Sequence, residues 1–454
     1  MNIVILGAGD TGKYITSILA KEQHNIVLID KQVKKLEEAS WNIDVATREG
    51  VGTDWQLLDS LLDLSPDLFI ALTGEDQTNL VSCSIAKNLG YPRAIARVRD
   101  NRYLNRTRLD FARIFDIDYF ICPELLVANE IYKYMNSPGS LRVESFAHGA
   151  IQLRTIVIPQ NWDRVNQTLA HLHLPKGMMI AIIRRRGQDS TKEEDKELIF
   201  PHGNDHIYPG DEVTLIGETD VISEAHRHFG LSQKPIQSVV IIGGSRTAVN
   251  LSKILEKRGM KVRVIEKDYQ KCCEIADRLH HTTVINHDGT DLEFLKSEKV
   301  GQADVTVVTT RSDEGNVMIG LLSKEAGCEN VMVQLTNTDY IPFANRLGIN
   351  HTPSPGVEAA NRILALALSG TITSVISLHK NQAEIMEISV SSTSKMTGIP
   401  LSELSSMLPK DFLIAAIQNR GRIMIANGNR IISPGDSVIV VSHPRHLREL
   451  ENIF

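Results

Sequence analysis

The chain has 454 residues, of which 42% are hydrophobic and 23% charged, and a formal net charge of −6. That length allows roughly three or four domains, and the composition is that of an ordinary soluble globular protein. The small negative charge leaves no basic field to hold nucleic acid or acidic lipid.

The five cysteines (83, 122, 272, 273 and 328) form no C-x-x-C pair, which fits reduced thiols in a cytoplasmic protein. The first residues lack the basic start and cleavage site of a signal peptide. No run reaches the roughly 18 apolar residues that a membrane span needs. Any link to a bilayer is therefore expected to pass through a partner.

In chain order, short apolar runs at 3–6, 26–29, 68–72, 94–98 and 119–121 read as strands. Amphipathic stretches at 13–21 and 78–89 separate them, and this alternation predicts a parallel, doubly wound α/β sheet. A helix is expected over 123–135, stopped by Asn136-Ser-Pro-Gly139. From 140 to 228 the texture becomes short strands around turns: 151–158, 178–184, and 212–216 after Tyr208-Pro-Gly-Asp211. Arg184-Arg185-Arg186 reads as a solvated hairpin tip, and 192–197 as a charged loop insertion. Gln233-Lys-Pro235 reads as a linker.

Beyond it the chain repeats itself. Met1-Asn-Ile-Val-Ile-Leu-Gly-Ala-Gly-Asp-Thr-Gly12 returns, weakened, as Ser238-Val-Val-Ile-Ile-Gly-Gly-Ser-Arg-Thr-Ala248. Asp30 falls on Glu266, and Thr73, Asp76 and Asn79 fall on Thr310, Asp313 and Asn316. Pro209-Gly-Asp211 returns as Pro434-Gly-Asp436. The expected organisation is two Rossmann-like domains at 1–135 and 236–369, each followed by a small α+β module at 140–228 and 370–454.

Gly7-x-Gly9-x-x-Gly12 follows a strand and opens a helix. In such a loop the first glycine permits the turn, the second admits a pyrophosphate and the third allows close helix packing. Backbone amides at the helix start then meet the phosphates. Asp30, 18 residues past Gly12, stands where a carboxylate accepts ribose hydroxyls, which favours NAD(H) or an adenine nucleotide over NADP(H). Gly7-x-x-x-x-Gly12-Lys13 also resembles the front of a P-loop, but Tyr14 replaces the Ser or Thr that would hold magnesium.

Thr73 and Gly74 end a strand at the carboxyl edge of the sheet, where open α/β sheets bind ligands. Asp76 and Asn79 read mainly as helix caps, with a ligand or interface contact as the alternative. Asp54 caps a helix or lines the adenine side with Thr53, and Arg97 pairs with phosphate or with a surface carboxylate. The nucleotide candidates of the first half are thus Gly7, Ala8, Gly9, Asp10, Thr11, Gly12, Asp30, Thr53, Asp54, Thr73, Gly74 and Arg97. In the second half they are Gly243, Gly244, Ser245, Arg246, Thr247 and Glu266. There Ser245 replaces Gly9, Ala248 replaces Gly12 and Gln334 replaces Arg97, while Arg246 and Arg311 add positive charge. That site is expected to be weaker, differently selective or empty.

These residues together resemble the family of domains that regulate potassium conductance (RCK, also called KTN), in the tandem form of Trk-type potassium-uptake regulatory subunits. The resemblance spans nearly the whole chain. It implies a cytoplasmic homo-oligomer, a tetrameric ring of eight such domains, docked peripherally beneath an integral-membrane potassium-translocating subunit. It implies NAD(H) and ATP or ADP in the Rossmann-like domains, and small modules that regulate or assemble.

The rival class is an NAD-dependent oxidoreductase. Cofactor binding is not catalysis, and hydride transfer needs a substrate pocket with an acid or base. None of the nine tyrosines has a lysine four residues later, and His148, His202 and His206 have no counterpart in the second module. Cys272-Cys273 with His280-His281 lacks zinc-site spacing. A redox-sensing transcription factor would need a basic helix-turn-helix, which the pattern does not contain. A regulatory, non-catalytic role is expected, with no catalytic residues and no metal ligands.

Overall fold

The computed structural model describes all residues except 42, 106–107, 136–139, 187–195, 232–235, 350, 368–371, 379–381, 407, 409–410, 420–421, 447–449, 451–452 and 454. The expected breaker at 136–139, most of the 192–197 insertion and the 233–235 linker lie outside the described residues. The chain divides into two compact units. One is Met1–Tyr132 with Ile236–Leu364, and the other is Lys133–Pro235 with Ala365–Phe454.

The first half of unit one runs β1 (Asn2–Leu6), α1 (Asp10–Lys21), β2 (Asn25–Asp30), α2 (Val33–Ser40), β3 (Ala46–Glu49), α3 (Trp55–Ser60) and β4 (Leu68–Ala71). It continues through α4 (Asp76–Leu89), β5 (Ala94–Arg97), α5 (Phe111–Ile114), β6 (Tyr119–Ile121) and α6 (Pro123–Met135). The strands form one parallel sheet in the order β3-β2-β1-β4-β5-β6. β1 beyond Asn2 and the whole of β4 are apolar and buried because helices cover both sheet faces. The chain reverses direction across the sheet between β1 and β4, and the loop ends there form a crevice. β3 is largely exposed and lacks an apolar run, which is why the sequence pattern does not reveal it.

Unit two begins with β7 (Ser140–Phe146), β8 (Ile151–Val157), β9 (Met178–Arg186), β10 (Lys196–Ile199), β11 (Glu212–Glu218), α7 (Thr219–Ser223) and α8 (Ala225–His228). The second parallel sheet of unit one then uses β12 (Ser238–Ile242), α9 (Arg246–Glu256), β13 (Lys261–Glu266), α10 (Tyr269–Ala276) and β14 (Thr283–Asn286). It is completed by α11 (Leu292–Ser297), β15 (Val305–Val308), α12 (Asp313–Glu325), β16 (Val331–Val333), α13 (Ile341–Arg346) and α14 (Pro355–Ala367). The strand order is β14-β13-β12-β15-β16, the first sheet without its sixth strand among the described residues. A single parallel bridge, Met332 to His351, stands in that position.

The second module of unit two has β17 (Ile372–Leu378), β18 (Ala383–Ser389), β19 (Phe412–Asn419), β20 (Arg422–Ile425) and β21 (Ser437–Ser442). Its antiparallel order, β17-β18-β21-β19-β20, repeats β7-β8-β11-β9-β10 of the first module strand for strand. The two modules share one apolar core, in which Leu153, Ile182 and Ile216 pack with Ile385, Ala416 and Ile439.

Two expectations are corrected here. Lys196 and Glu197 are not loop but the start of β10, paired with Arg186 and Arg185, and β20 is its counterpart. The arginine run is not a solvated tip. Arg184 is buried in an ion pair with Glu212 at 3.0 Å, and Arg185 binds Asp211 at 2.9 Å and lies over the Tyr208 ring. Asp211 also accepts from the Tyr208 amide, and Asp436 accepts likewise from Ser433. The repeated Pro-Gly-Asp is therefore a turn held closed by its own carboxylate.

Candidate functional site

The first crevice is built from the turn after β1. Gly7 has φ +107°, a conformation side-chain-bearing residues rarely adopt, and a Cβ there would lie 3.0 Å from the Leu72 carbonyl carbon and the Thr73 nitrogen. A Cβ on Gly12 would collide with the Gly7 carbonyl oxygen, so this glycine lets α1 seat against the turn. Gly9 is different. Its φ of −73° suits any residue, and a Cβ would meet nothing within 4 Å. Neither backbone nor packing requires glycine at 9, so its bareness leaves room for something outside the chain. Gly9 is also the N-cap of α1 with no side-chain cap, so the first amides of that helix are not satisfied by a cap side chain.

Asp30, at the end of β2, shapes the turn. Its carboxylate accepts from the Ala8 amide at 2.7 Å and from the Gln32 amide at 2.9 Å. Each oxygen has a further lone pair for a hydroxyl. Glu266 does the same in the second copy, accepting from Gly244 at 2.6 Å and Asp268 at 3.0 Å.

The far wall comes from the loops after β4 and β5. Asp76 and Asn79 do not cap α4, whose N-cap is Glu75. Asn79 Oδ1 accepts from the Thr73 amide at 2.9 Å and hydroxyl at 2.7 Å, while its Nδ2 donates to the carbonyls of Thr73 and Arg97. Asp76 accepts from the amides of Arg99 and Asp100. Together they lock both loops at the carboxyl edge. Asn316 and Asp313 repeat this around Thr310, Gln334, Thr336 and Asn337.

Arg97 pairs with Glu124 at 3.1 Å, with Arg99 Nε at 4.0 Å from the same carboxylate. Burial, then the charge of Arg97, pull the Arg99 guanidinium below its usual range, and Arg246 adds to this. Arg97 Nε, Arg99 Nε and Glu124 Oε2 are buried and make no hydrogen bond among the described residues. An excess of cation with unsatisfied donors attracts an anion.

Both crevices open into one cavity of about 1430 Å³ within unit one. Sixteen sequence candidates line it: Gly7, Gly9, Asp10, Thr11, Gly12, Asp30, Thr53, Thr73, Gly74 and Arg97, with Gly243, Gly244, Ser245, Arg246, Thr247 and Glu266. Ala8 and Asp54 do not. Ala8 is fully buried, and Asp54 caps α3 through the amides of Gln56 and Leu57. Sequence reading missed Arg99, Glu124 and Lys35 in the first half and Lys271, Arg278 and His287 in the second, which also line it. Arg99 and Glu124 carried a signal, since each borders an end of β5 or β6 at the ligand edge. The lysines lie on surface helix faces and carried none.

The fit to a dinucleotide is thus carried by the open space at Gly9, the uncapped start of α1 and the carboxylate of Asp30.

The sequence matches the TrkA-N domain over residues 3–123 and 239–355 and the TrkA-C domain over 153–230 and 385–454. It is 29% identical to the Trk system potassium uptake protein TrkA homolog 1 of Methanosarcina mazei, over the whole of both chains. It is likewise 29% identical to the Trk system potassium uptake protein TrkA of Halomonas elongata, over all of this chain and 98% of that one. The GsuK RCK domain shares the fold with a TM-score of 0.62 at 15% identity, covering 100% of this chain and 94% of that one. The GsuK channel bound to NAD gives 0.62 at 15% identity, over 100% and 78%. The chain belongs to the TrkA family of potassium-uptake proteins, as a tandem of two TrkA-N and two TrkA-C (RCK) domains.

Proposed function

We propose that this chain is a cytoplasmic, nucleotide-binding regulatory subunit of a Trk-type potassium-uptake system. It binds peripherally, as a homotetramer, to an integral-membrane potassium-translocating subunit. Its four domains divide near 1–135, 140–228, 236–369 and 370–454. NAD(H) binds the first crevice, with ATP or ADP as competing ligands, and the protein catalyses no reaction of them.

The observation that carries this reading is Gly9, a glycine that the chain's own conformation and packing do not require, above an uncapped helix start and beside Asp30. The diphosphate is held by the α1 amides and the ribose by Asp30, with Arg97 and Arg99 facing the remaining charge. Relatives bear the name of the Trk potassium-uptake system, and a channel of the same fold has been solved bound to NAD. Among the described residues no helix is long and apolar enough to cross a membrane. A bound nucleotide shifts the partner only by its difference in affinity between two domain arrangements, typically about 1–3 kcal/mol per site.

Calorimetric titration of the purified chain with NADH tests the site. Asp30→Ala is expected to weaken NADH binding at least tenfold and to blunt regulated potassium uptake while the oligomer persists. Wild-type affinity in that variant would overturn the site assignment. Steady NADH oxidation by the pure protein with a small carbonyl compound, abolished by a cavity substitution, would overturn the regulatory reading.

A further inference from the structure

The two glycine turns differ in a way that goes beyond weakening. In the second turn Ser245 stands at the Gly9 position with nearly the same backbone, φ −74° against −73°. Its hydroxyl accepts from the Ala248 amide at 3.1 Å and donates to Thr309 Oγ1 at 3.0 Å. Thr309 in turn donates to the Gly243 carbonyl at 3.2 Å. Thr309 corresponds to Leu72 of the first half, which has no hydroxyl. The two replacements therefore come as a bonded pair. Ala248 stands at the Gly12 position, where a Cβ in the first turn would collide with the Gly7 carbonyl oxygen.

A diphosphate at the second turn meets a side chain where the first turn offers open space. It also competes with a hydroxyl that already satisfies one of the first helix amides. Elsewhere the second crevice keeps the first one's turn: Glu266 holds it as Asp30 does, with Lys271 3.9 Å from the same carboxylate, and Arg278 lines the cavity. Exclusion is thus local to the diphosphate position.

We infer that the Ser245–Thr309 hydroxyl pair shuts the second crevice to diphosphate-bearing ligands, so that each chain takes one dinucleotide, in the first crevice. This rests on the proposed nucleotide reading of the first crevice. The two halves of the shared cavity then play different parts, one responding to ligand and the other self-capped whatever the ligand.

Calorimetry on the full chain with NADH tests this. Wild type is expected to bind one NADH per chain, any second event being weaker by about 100-fold or more. The double variant Ser245→Gly with Thr309→Leu is expected to gain a second site. Gly9→Ser, which puts the serine half of the pair into the diphosphate space of the first turn without touching the core, is expected to weaken the single site at least tenfold while the thermal midpoint stays near wild type. Two NADH per wild-type chain of similar affinity would overturn the inference and leave the functional reading standing. So would undiminished binding in Gly9→Ser, or a double variant that still binds one. No NADH bound by wild type or by the double variant would overturn both.

Discussion

At the scale of single residues, the three glycines of the first turn have three separate physical causes, and each makes its own prediction. Gly9→Ala adds a methyl group into open space at a φ that alanine accepts. By restricting the unfolded chain it is expected to leave stability unchanged or raise it by about 0.4–1 kcal/mol, while NADH affinity falls at least tenfold. A thermal midpoint read beside a titration checks both halves. A variant that loses stability would show that Gly9 packs against the protein after all. Gly12→Ala drives a Cβ toward the Gly7 carbonyl oxygen and is expected to cost about 1–3 kcal/mol, with binding lost as well. The motif was visible in the sequence, but its division of labour was not. Spacing cannot tell a glycine demanded by φ from one demanded by a neighbour or by a ligand.

Among elements, the decisive contacts join the ends of neighbouring strands. Asn79, fully buried, ties β4 to β5 by four hydrogen bonds, and Asn316 ties β15 to β16 in the same manner. Asn79→Ala leaves the Thr73 amide and Arg97 carbonyl without this partner. It is expected to cost roughly 2–4 kcal/mol by denaturant unfolding, and a loss below about 1 kcal/mol would refute the clamp. The sequence placed these residues correctly at a helix start and misjudged what they do. A helix-start Asp or Asn has the same local signature whether it caps its own helix or reaches a strand end fifteen or more residues away.

The reduced edge of the second sheet adds a pH dependence. His351 bridges to Met332 there, and although the residue as a whole is only half-buried, its Nε2 is sealed from solvent. Burial lowers its pKa from 6.5 to about 4. As pH falls below about 6.5 the unfolded chain takes up a proton that the folded imidazole refuses until about pH 4, so this contribution is full above 6.5 and lost on acidification. Stability is expected to drop by about 1–2 kcal/mol between pH 7 and pH 5 through this residue alone. His351→Gln should flatten that part of the profile, and an unchanged acid slope would remove His351 as its cause.

For the whole molecule, two parallel sheets sit in one compact unit and open into one cavity, and two antiparallel modules share one core in the other unit. α14 meets the first helix of the opposite half, and α6 meets the chain just past the equivalent helix. A Cβ on Gly356 of α14 would lie 3.6 Å from the ring of Tyr14 on α1, and Arg258, just past α9, lies over the Tyr132 ring of α6. Such reciprocal packing is the expected result of duplication, since the repeated unit presents the same face twice. A ligand that binds only the folded unit stabilises it by mass action, by about 2.7 kcal/mol at a hundred times its Kd. NADH at that excess should raise the melting temperature of wild type, and that of Asp30→Ala by about half as much or less. An equal rise in both would mean binding elsewhere.

The sequence by itself determined the duplication, the alternation of strand and helix, the glycine turn with its carboxylate, and the change of texture into the small modules. These are local or periodic properties, written in hydrophobic spacing and in residues with special backbone freedom. The tertiary structure alone decided that Asp76 and Asn79 are clamps, that Arg184 and Arg185 are held in ion pairs, and that Ser245 bonds Thr309, 64 positions away. Each of these depends on partners distant in the chain, and no spacing rule records which distant groups a fold brings within hydrogen-bonding reach.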